Sequence, residues 1–143
     1  EYFPQSQRKT EAQLMIFNLQ DKLVMKDYLT AKLYYDLGTY TGNASWTADR
    51  RINGNNFLAC ITTAQNALKD YPYTSMREEI SILLLRAKHK LGSESVLDKK
   101  EERMRETIDE YYAFKNEFPE SKYMKEVETI YKDASKYVKE LNE

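Results

Sequence analysis

His89 and Cys60 are the side chains in this 143-residue sequence best suited to metal or nucleophilic chemistry, and each is the single residue of its type. His89 lies between Lys88 and Lys90 near the predicted C-terminal end of a helix, where the helix dipole favours a cation. Cys60 falls on an apolar helical face, which predicts a small core residue. A lone cysteine excludes an internal disulfide, and one histidine with one cysteine does not predict a metal site.

Carboxylate pairs and phosphate-binding motifs give no stronger indication of catalysis. Glu78-Glu79 and Glu101-Glu102 are adjacent in sequence, so the two carboxylates of each pair point about 100° apart on a helix. The sequence contains no Gly-rich phosphate loop and no Gly-x-Ser-x-Gly motif. We therefore predict a protein that is not an enzyme, with no catalytic residues, no bound metal and no cofactor.

The composition is typical of one helical domain. The chain has 22 basic and 23 acidic residues and a net charge of −1, which argues against nucleic acid as the principal ligand. Four glycines and three prolines leave few tight turns, and no run of residues is apolar enough for a transmembrane helix. The 12 tyrosines suit positions between neighbouring helices, with the hydroxyl reaching water.

Helical periodicity is clearest from Asn56 to Gly92, where two amphipathic patterns flank a Tyr-Pro break. Apolar residues recur at three- and four-residue spacing on both sides of the break. Pro72 ends the first pattern, and Ser75 is predicted to cap the second helix with Glu78 as its capping-box partner. Gly92 is predicted to close that helix in the left-handed conformation.

The same break occurs three times. Each copy has the order aromatic, proline, any residue, hydroxyl, so the proline stops one helix and the hydroxyl is predicted to cap the next. The prolines are 68 and 47 residues apart, whereas a tetratricopeptide array repeats every ~34 residues. Insertions must account for the excess. The three breaks are Phe3-Pro4-Gln5-Ser6, Tyr71-Pro72-Tyr73-Thr74 and Phe118-Pro119-Glu120-Ser121.

The predicted fold is all-α, a tetratricopeptide-like helical repeat array (α-solenoid) in a single domain of residues 1–143. One long first helix, closed by Gly38, fits the pattern, although two helices joined near Met25-Lys26 would fit it as well. The chain begins within a repeated break, so we expect an earlier helix upstream. The helices are predicted at about 6–37, 56–70, 75–91, 98–117 and 121–141.

Residues 39–55 show no helical period and are predicted to form an inserted loop. This loop contains Tyr40, Arg50, Arg51 and the only tryptophan, Trp46. Trp and Arg are enriched at interface hot spots, so these four residues are predicted to bind a protein partner. The alternative interpretation is that Trp46 packs back onto the helices and fixes the loop.

The order of these features resembles the C-terminal half of the BamD family, the tetratricopeptide lipoproteins of the bacterial outer-membrane β-barrel assembly machinery. The chain departs from the family pattern at Thr63, where a basic residue is frequent, and in the length of the 39–55 insertion. The shared features cover nearly the whole chain: Phe3-Pro4-Gln5-Ser6, a long helix from Leu14 through Tyr34-Tyr35 to Gly38, Asp70-Tyr71-Pro72-Tyr73-Thr74, and Leu91-Gly92.

The resemblance implies a non-catalytic scaffold at the periplasmic face of the outer membrane. It would dock the POTRA domains of BamA and meet other lipoproteins of the assembly complex. Membrane association would come only through an N-terminal lipid anchor, whose cysteine this sequence does not include. Two other classes stay open: a generic tetratricopeptide module that binds proteins or peptides in another complex, and a regulatory part of an enzyme whose catalytic part lies upstream.

Overall fold

A computed structural model describes residues 7–39 and 55–140 of the chain. These residues form five α-helices, which confirms the all-α class predicted from the periodicity. The first helix is continuous and has no break near Met25-Lys26. The helices are α1 (Gln7–Leu37), α2 (Asn56–Asp70), α3 (Arg77–Ser93), α4 (Leu97–Glu117) and α5 (Met124–Glu140).

The five helices pack in chain order, each against the next. Successive helices run antiparallel, as short connections between helices require. α3 also contacts α1 and α5, whereas α2 and α4 do not approach each other within the described ranges. The odd-numbered helices therefore form one side of the domain, and α3 is its central element.

Two apolar clusters fill the space between the helices, and α3 contributes to both. Its position between the two clusters explains why nearly every residue from 80 to 87 is buried. The first cluster joins α1, α2 and α3 through Val24, Ala31, Phe57, Cys60, Ile61, Ala64, Ala67, Ile80, Leu83, Leu84, Ala87 and Leu91. The second cluster joins α3, α4 and α5 through Ile82, Leu85, Tyr111, Phe114, Val127 and Ile130.

The buried positions of the α2–α3 pair correspond to those of the α4–α5 pair at a constant spacing of 47 residues, the spacing of Pro72 and Pro119. In α2 and α4 the corresponding pairs are Phe57 and Met104, Cys60 and Thr107, Ala64 and Tyr111, and Ala67 and Phe114. In α3 and α5 they are Ile80 and Val127, Leu83 and Ile130, and Ala87 and Ala134. The 47-residue spacing of the two prolines therefore also relates the packing of α2 and α3 to that of α4 and α5.

The two described aromatic–proline breaks have the same backbone geometry. Tyr71 has φ −128° and ψ 64°, and Phe118 has φ −127° and ψ 63°. In each case the aromatic N–H donates to the carbonyl four residues earlier, which closes the preceding helix. The hydroxyls of Thr74 and Ser121 each accept the N–H two residues later, at 3.2 and 3.0 Å. The first predicted break, with Pro4, lies outside the described residues.

The predicted capping box at Ser75 is wrong. The helix begins two residues later at Arg77, and the residue before it makes no side-chain capping hydrogen bond. The hydroxyl of Thr74 instead accepts the N–H of Met76 within the turn. Glu78 accepts a hydrogen bond of 2.6 Å from the hydroxyl of Ser121. Its carboxylate therefore links the start of α3 to the turn before α5 and does not form a capping box with Ser75.

The two glycines that end helical patterns have different roles. Gly38 has φ +52°, the left-handed conformation predicted for a residue that closes a helix. Gly92 is not left-handed, so that prediction is wrong: α3 continues through it to Ser93. A Cβ at Gly92 would lie 3.1 Å from Sδ of Met104, and a Cβ at Gly38 would lie 3.1 Å from the ring of Phe57. Both glycines allow a close approach to the next helix.

Candidate protein-interaction surface

The four residues predicted to bind a partner, Tyr40, Trp46, Arg50 and Arg51, lie outside the described residues. The two ends of their segment are described. At one end, Gly38 lies against the ring of Phe57, and that ring also makes an edge-to-face contact with Tyr35 at 5.8 Å between centroids. At the other end, Oδ1 of Asn55 accepts the N–H of Phe57 at 2.9 Å and caps α2. The segment therefore leaves α1 and returns to α2 at neighbouring points.

The α3–α4 connection lies at the same end of the helices as Thr39 and Asn55, because successive helices run antiparallel. Two apolar side chains stand out there: Val96 is 70% exposed and Leu97 is 79% exposed. Exposed aliphatic residues beside an inserted segment extend the surface available to a partner. This end of the domain, bounded by Thr39, Asn55 and Leu97, is the candidate surface within the described residues.

An ion pair joins α3 to α5. The guanidinium of Arg86 makes two hydrogen bonds to the carboxylate of Glu126, at 2.6 and 2.7 Å, and lies 5.4 Å from the ring centroid of Tyr123. The hydrogen bonds to Arg86 lower the pKa of Glu126, and the same bonds raise the pKa of Arg86. The pair therefore links α5 to α3 beside the apolar contacts of the second cluster.

Acid should remove the contribution of this ion pair to stability. Because the folded state lowers the pKa of Glu126, the contribution is present at neutral pH and is lost as the pH falls through that lowered pKa. Glu126→Gln should lower the free energy of unfolding by about 0.2–1 kcal/mol at pH 7, since the pair is partly exposed. Urea denaturation at pH 7 and pH 3 measures the difference between variant and wild type, which should shrink at pH 3.

Glu128→Gln is the matched control for this prediction, because Glu128 is an exposed carboxylate on the same helix. It should change the free energy of unfolding little at either pH. A difference for Glu126→Gln that stays the same at pH 3 would show that packing, and not the charge, accounts for the effect.

Cys60 and His89, the two candidates for chemistry, have different surroundings in the fold. Cys60 is fully buried, as predicted for a core residue, and its burial raises the pKa of the thiol to about 12. The thiol is therefore protonated at neutral pH, and a protonated thiol is a poor nucleophile. Nε2 of His89 lies 2.6 Å from Oδ2 of Asp133, a contact between α3 and α5 that the sequence analysis did not anticipate. Across residues 7–39 and 55–140, no group of three or more His, Cys, Asp or Glu could hold a metal ion.

α1 carries the largest exposed apolar surface among the described helices. Every residue from 8 to 23 is exposed, and no described helix is long and apolar enough to cross a membrane. This surface was not predicted from the sequence, although the apolar residues lie on more than one side of the helix. The exposed residues are Leu14, Met15, Ile16, Phe17, Leu19, Leu23, Met25, Leu29 and Leu33, each at least 45% exposed.

Comparison of the sequence with models of protein families gives no match, and comparison with curated proteins gives none. The resemblance to the BamD family therefore stands on the order of the breaks and glycines alone. The structure shows an all-α domain of five helices that pack sequentially.

Proposed function

We propose that the chain is a non-catalytic scaffold of the tetratricopeptide type, which binds protein partners with the surface of tandem helical hairpins. The observation that carries this proposal is the 47-residue correspondence between the buried positions of the α2–α3 pair and those of the α4–α5 pair. It extends to the turns, where Tyr71 and Phe118 share their backbone angles. Tandem hairpins of this kind build extended surfaces, and proteins that contain them use those surfaces to bind other proteins.

The resemblance to the BamD family supports a more specific partner. We propose that the scaffold serves the bacterial outer-membrane β-barrel assembly machinery and docks the periplasmic POTRA domains of BamA. The protein would then act at the periplasmic face of the outer membrane, together with other lipoproteins of that complex. The proposed contact is the segment with Tyr40, Trp46, Arg50 and Arg51, because Trp and Arg are enriched at interface hot spots.

A titration of the chain with the POTRA domains of BamA from the same species tests this proposal. Isothermal titration calorimetry at moderate salt should give saturable binding. A chain that is helical by circular dichroism but shows no binding would refute the POTRA domains as its partner.

Trp46→Ala should weaken that binding while it leaves the helicity and the melting temperature nearly unchanged. The reason is that an interfacial tryptophan contributes to binding through contacts that the free chain does not make. Calorimetry measures the binding, and thermal denaturation measures the stability. Tyr73→Ala is the matched control, since Tyr73 is an aromatic residue 93% exposed at the opposite end of the helices. A large drop in melting temperature for Trp46→Ala would instead assign Trp46 to packing.

The second candidate function is a generic tetratricopeptide module that binds proteins or peptides in another complex. The exposed apolar surface of α1 favours it, because that surface implies a protein contact without specifying POTRA domains. The two candidates are distinguished by the same titration, since a generic module does not bind POTRA domains.

A further inference from the structure

Three tyrosines from α4 and α5 lie together at the contact of these two helices. The rings of Tyr111 and Tyr131 stack at 4.3 Å between centroids, with an angle of 22° between their planes. Tyr112 meets both rings edge-on, at 5.0 Å from Tyr111 and 5.7 Å from Tyr131 between centroids. Stacked and edge-to-face aromatic pairs are favourable, so each ring helps to hold the other two in place.

The hydroxyl groups of Tyr112 and Tyr131 are in contact. Their oxygen atoms are 3.2 Å apart, a distance at which one hydroxyl donates a hydrogen bond to the other. The two residues are 19 positions apart in the sequence, and the packing of α5 on α4 brings them together. The hydrogen bond to Tyr131 raises the pKa of Tyr112, so its hydroxyl carries a proton at neutral pH.

The tyrosines of this cluster differ in their access to an oxidant in solution. Tyr112 is 48% exposed, whereas Tyr111 is 4% exposed. The ammonium of Lys115 donates a hydrogen bond of 3.1 Å to the hydroxyl of Tyr111, and a positive charge at that distance opposes the removal of an electron from the ring. Oxidation of the cluster therefore begins at Tyr112, whose hydroxyl contacts that of Tyr131.

We propose that Tyr112 and Tyr131 are a site of oxidative modification, at which hydrogen peroxide and a haem peroxidase join the two rings as dityrosine. The new bond forms between the ring carbons next to the hydroxyls, so the product carries its two hydroxyls side by side. The fold already holds these hydroxyls in contact, and the exposed side of Tyr112 gives its ring room to turn toward Tyr131. The modification is independent of the POTRA domains and of the proposed scaffold function.

The reaction uses one hydrogen peroxide for each pair of tyrosines. The peroxidase, oxidised by the peroxide, takes one electron from each phenol, and each phenol releases its hydroxyl proton. The two phenoxyl radicals form one carbon–carbon bond, and the hydrogen on each bonded carbon moves to the oxygen of its own ring, which restores both aromatic rings. The two electrons and two protons reduce the peroxide to two molecules of water.

The new bond ties α4 to α5 across the turn that contains Pro119. A cross-link between residues 19 positions apart limits the conformations of the unfolded chain and therefore stabilises the folded one. α5 packs mainly on α4 and has fewer contacts with α3. The modification would therefore restrain the helix that lies at one edge of the described domain.

The test treats the purified whole chain, at low micromolar concentration, with a haem peroxidase and hydrogen peroxide. Trypsin cleaves after lysine and arginine, which places Tyr112 in peptide 106–115 and Tyr131 in peptide 126–132. Mass spectrometry should find these two peptides joined, with a mass two hydrogens below their sum. Fragmentation of the joined peptides should assign the bond to Tyr112 and not to Tyr111, and the treated chain should show the fluorescence of dityrosine.

Tyr112→Phe and Tyr131→Phe should each eliminate the joined peptides, because phenylalanine keeps the ring in the packing but has no hydroxyl hydrogen to lose. Tyr111→Phe is the matched control within the cluster, and Tyr73→Phe is the control for an accessible tyrosine, since Tyr73 is 93% exposed. Both controls should give the joined peptides in the wild-type yield. Circular dichroism before treatment checks that every variant is folded.

The melting temperature gives a second readout. The treated wild-type chain should melt several degrees higher than the untreated chain, because the cross-link restricts the unfolded state. The treated Tyr112→Phe chain should show no such rise.

Three results would overturn the proposal. The first is a folded, treated chain without the joined peptides. The second is a bond that fragmentation assigns to Tyr111. The third is a bond between different chains, which appears as a dimer on a denaturing gel and whose yield falls on dilution, whereas the yield of a bond within one chain does not.

Discussion

Replacing Phe114 with alanine should lower the free energy of unfolding by about 3–5 kcal/mol, the range for truncation of a buried aromatic residue. The Phe114 side chain is 2% exposed and belongs to the second cluster, where α4 meets α3 and α5. Its ring also packs on Phe118 at 5.2 Å between centroids, so the truncation removes support from the aromatic–proline turn. Urea denaturation followed by circular dichroism measures the loss.

Tyr73→Ala controls for the general effect of losing an aromatic side chain. Tyr73 is 93% exposed in the other turn, so its removal should change the free energy of unfolding by no more than about 0.5 kcal/mol. Similar losses at Phe114 and Tyr73 would contradict the packing described for the second cluster.

Ala64→Leu should destabilise the domain by about 1–3 kcal/mol through overpacking. Ala64 is completely buried in the first cluster, on the helix that lies between α1 and α3. The neighbouring positions Cys60 and Ala67 are also small, so α2 can approach both helices closely and leaves no space for three further carbon atoms. The melting temperature and the urea midpoint report the change.

Gln65→Leu is the matched control, because it adds an apolar side chain to the same helix at an exposed position. It should leave stability nearly unchanged. If Ala64→Leu were as stable as wild type, α2 could not be packed between α1 and α3 as the structure has it.

The helices could be predicted from the sequence because their information is local. Three- and four-residue spacing of apolar residues identifies α2, and the Tyr-Pro and Phe-Pro pairs place its end and that of α4. Gly38 could be predicted to close α1 because it follows the last apolar residue of that helix. In each case the deciding residues lie within a few positions of the feature.

The predictions from sequence fail where contacts between helices determine the role of a residue. A glycine near the end of a helical pattern can stop the helix or admit a neighbour, and only the position of Met104 shows that Gly92 does the second. Thr107 is polar but completely buried in α4, at the position that corresponds to Cys60 of α2. Its hydroxyl donates a hydrogen bond to the carbonyl of Arg103, which satisfies the buried polar group. Tyr112 is aromatic but 48% exposed, whereas its neighbour Tyr111 is 4% exposed.

The candidate site was less predictable than the helices. The exposed face of α1 could have been found from its sequence, since leucines occupy more of the helix than one packed side requires. The pair of Arg86 and Glu126 could not, because 40 residues separate its members and only the packing of α5 on α3 brings them together. The predicted contact residues around Trp46 lie outside the described part of the chain, so their assignment stays a prediction.

The sequential packing of the helices has a consequence for how the domain opens. Most tertiary contacts join neighbours along the chain, a topology that folds rapidly because few long loops must close. Local opening should begin at the edges, where α5 rests mainly on α4, and should reach α3 last because four helices contact it. Native-state hydrogen exchange should therefore find the slowest amide protons in α3, with faster exchange in α5 and fastest in the first half of α1.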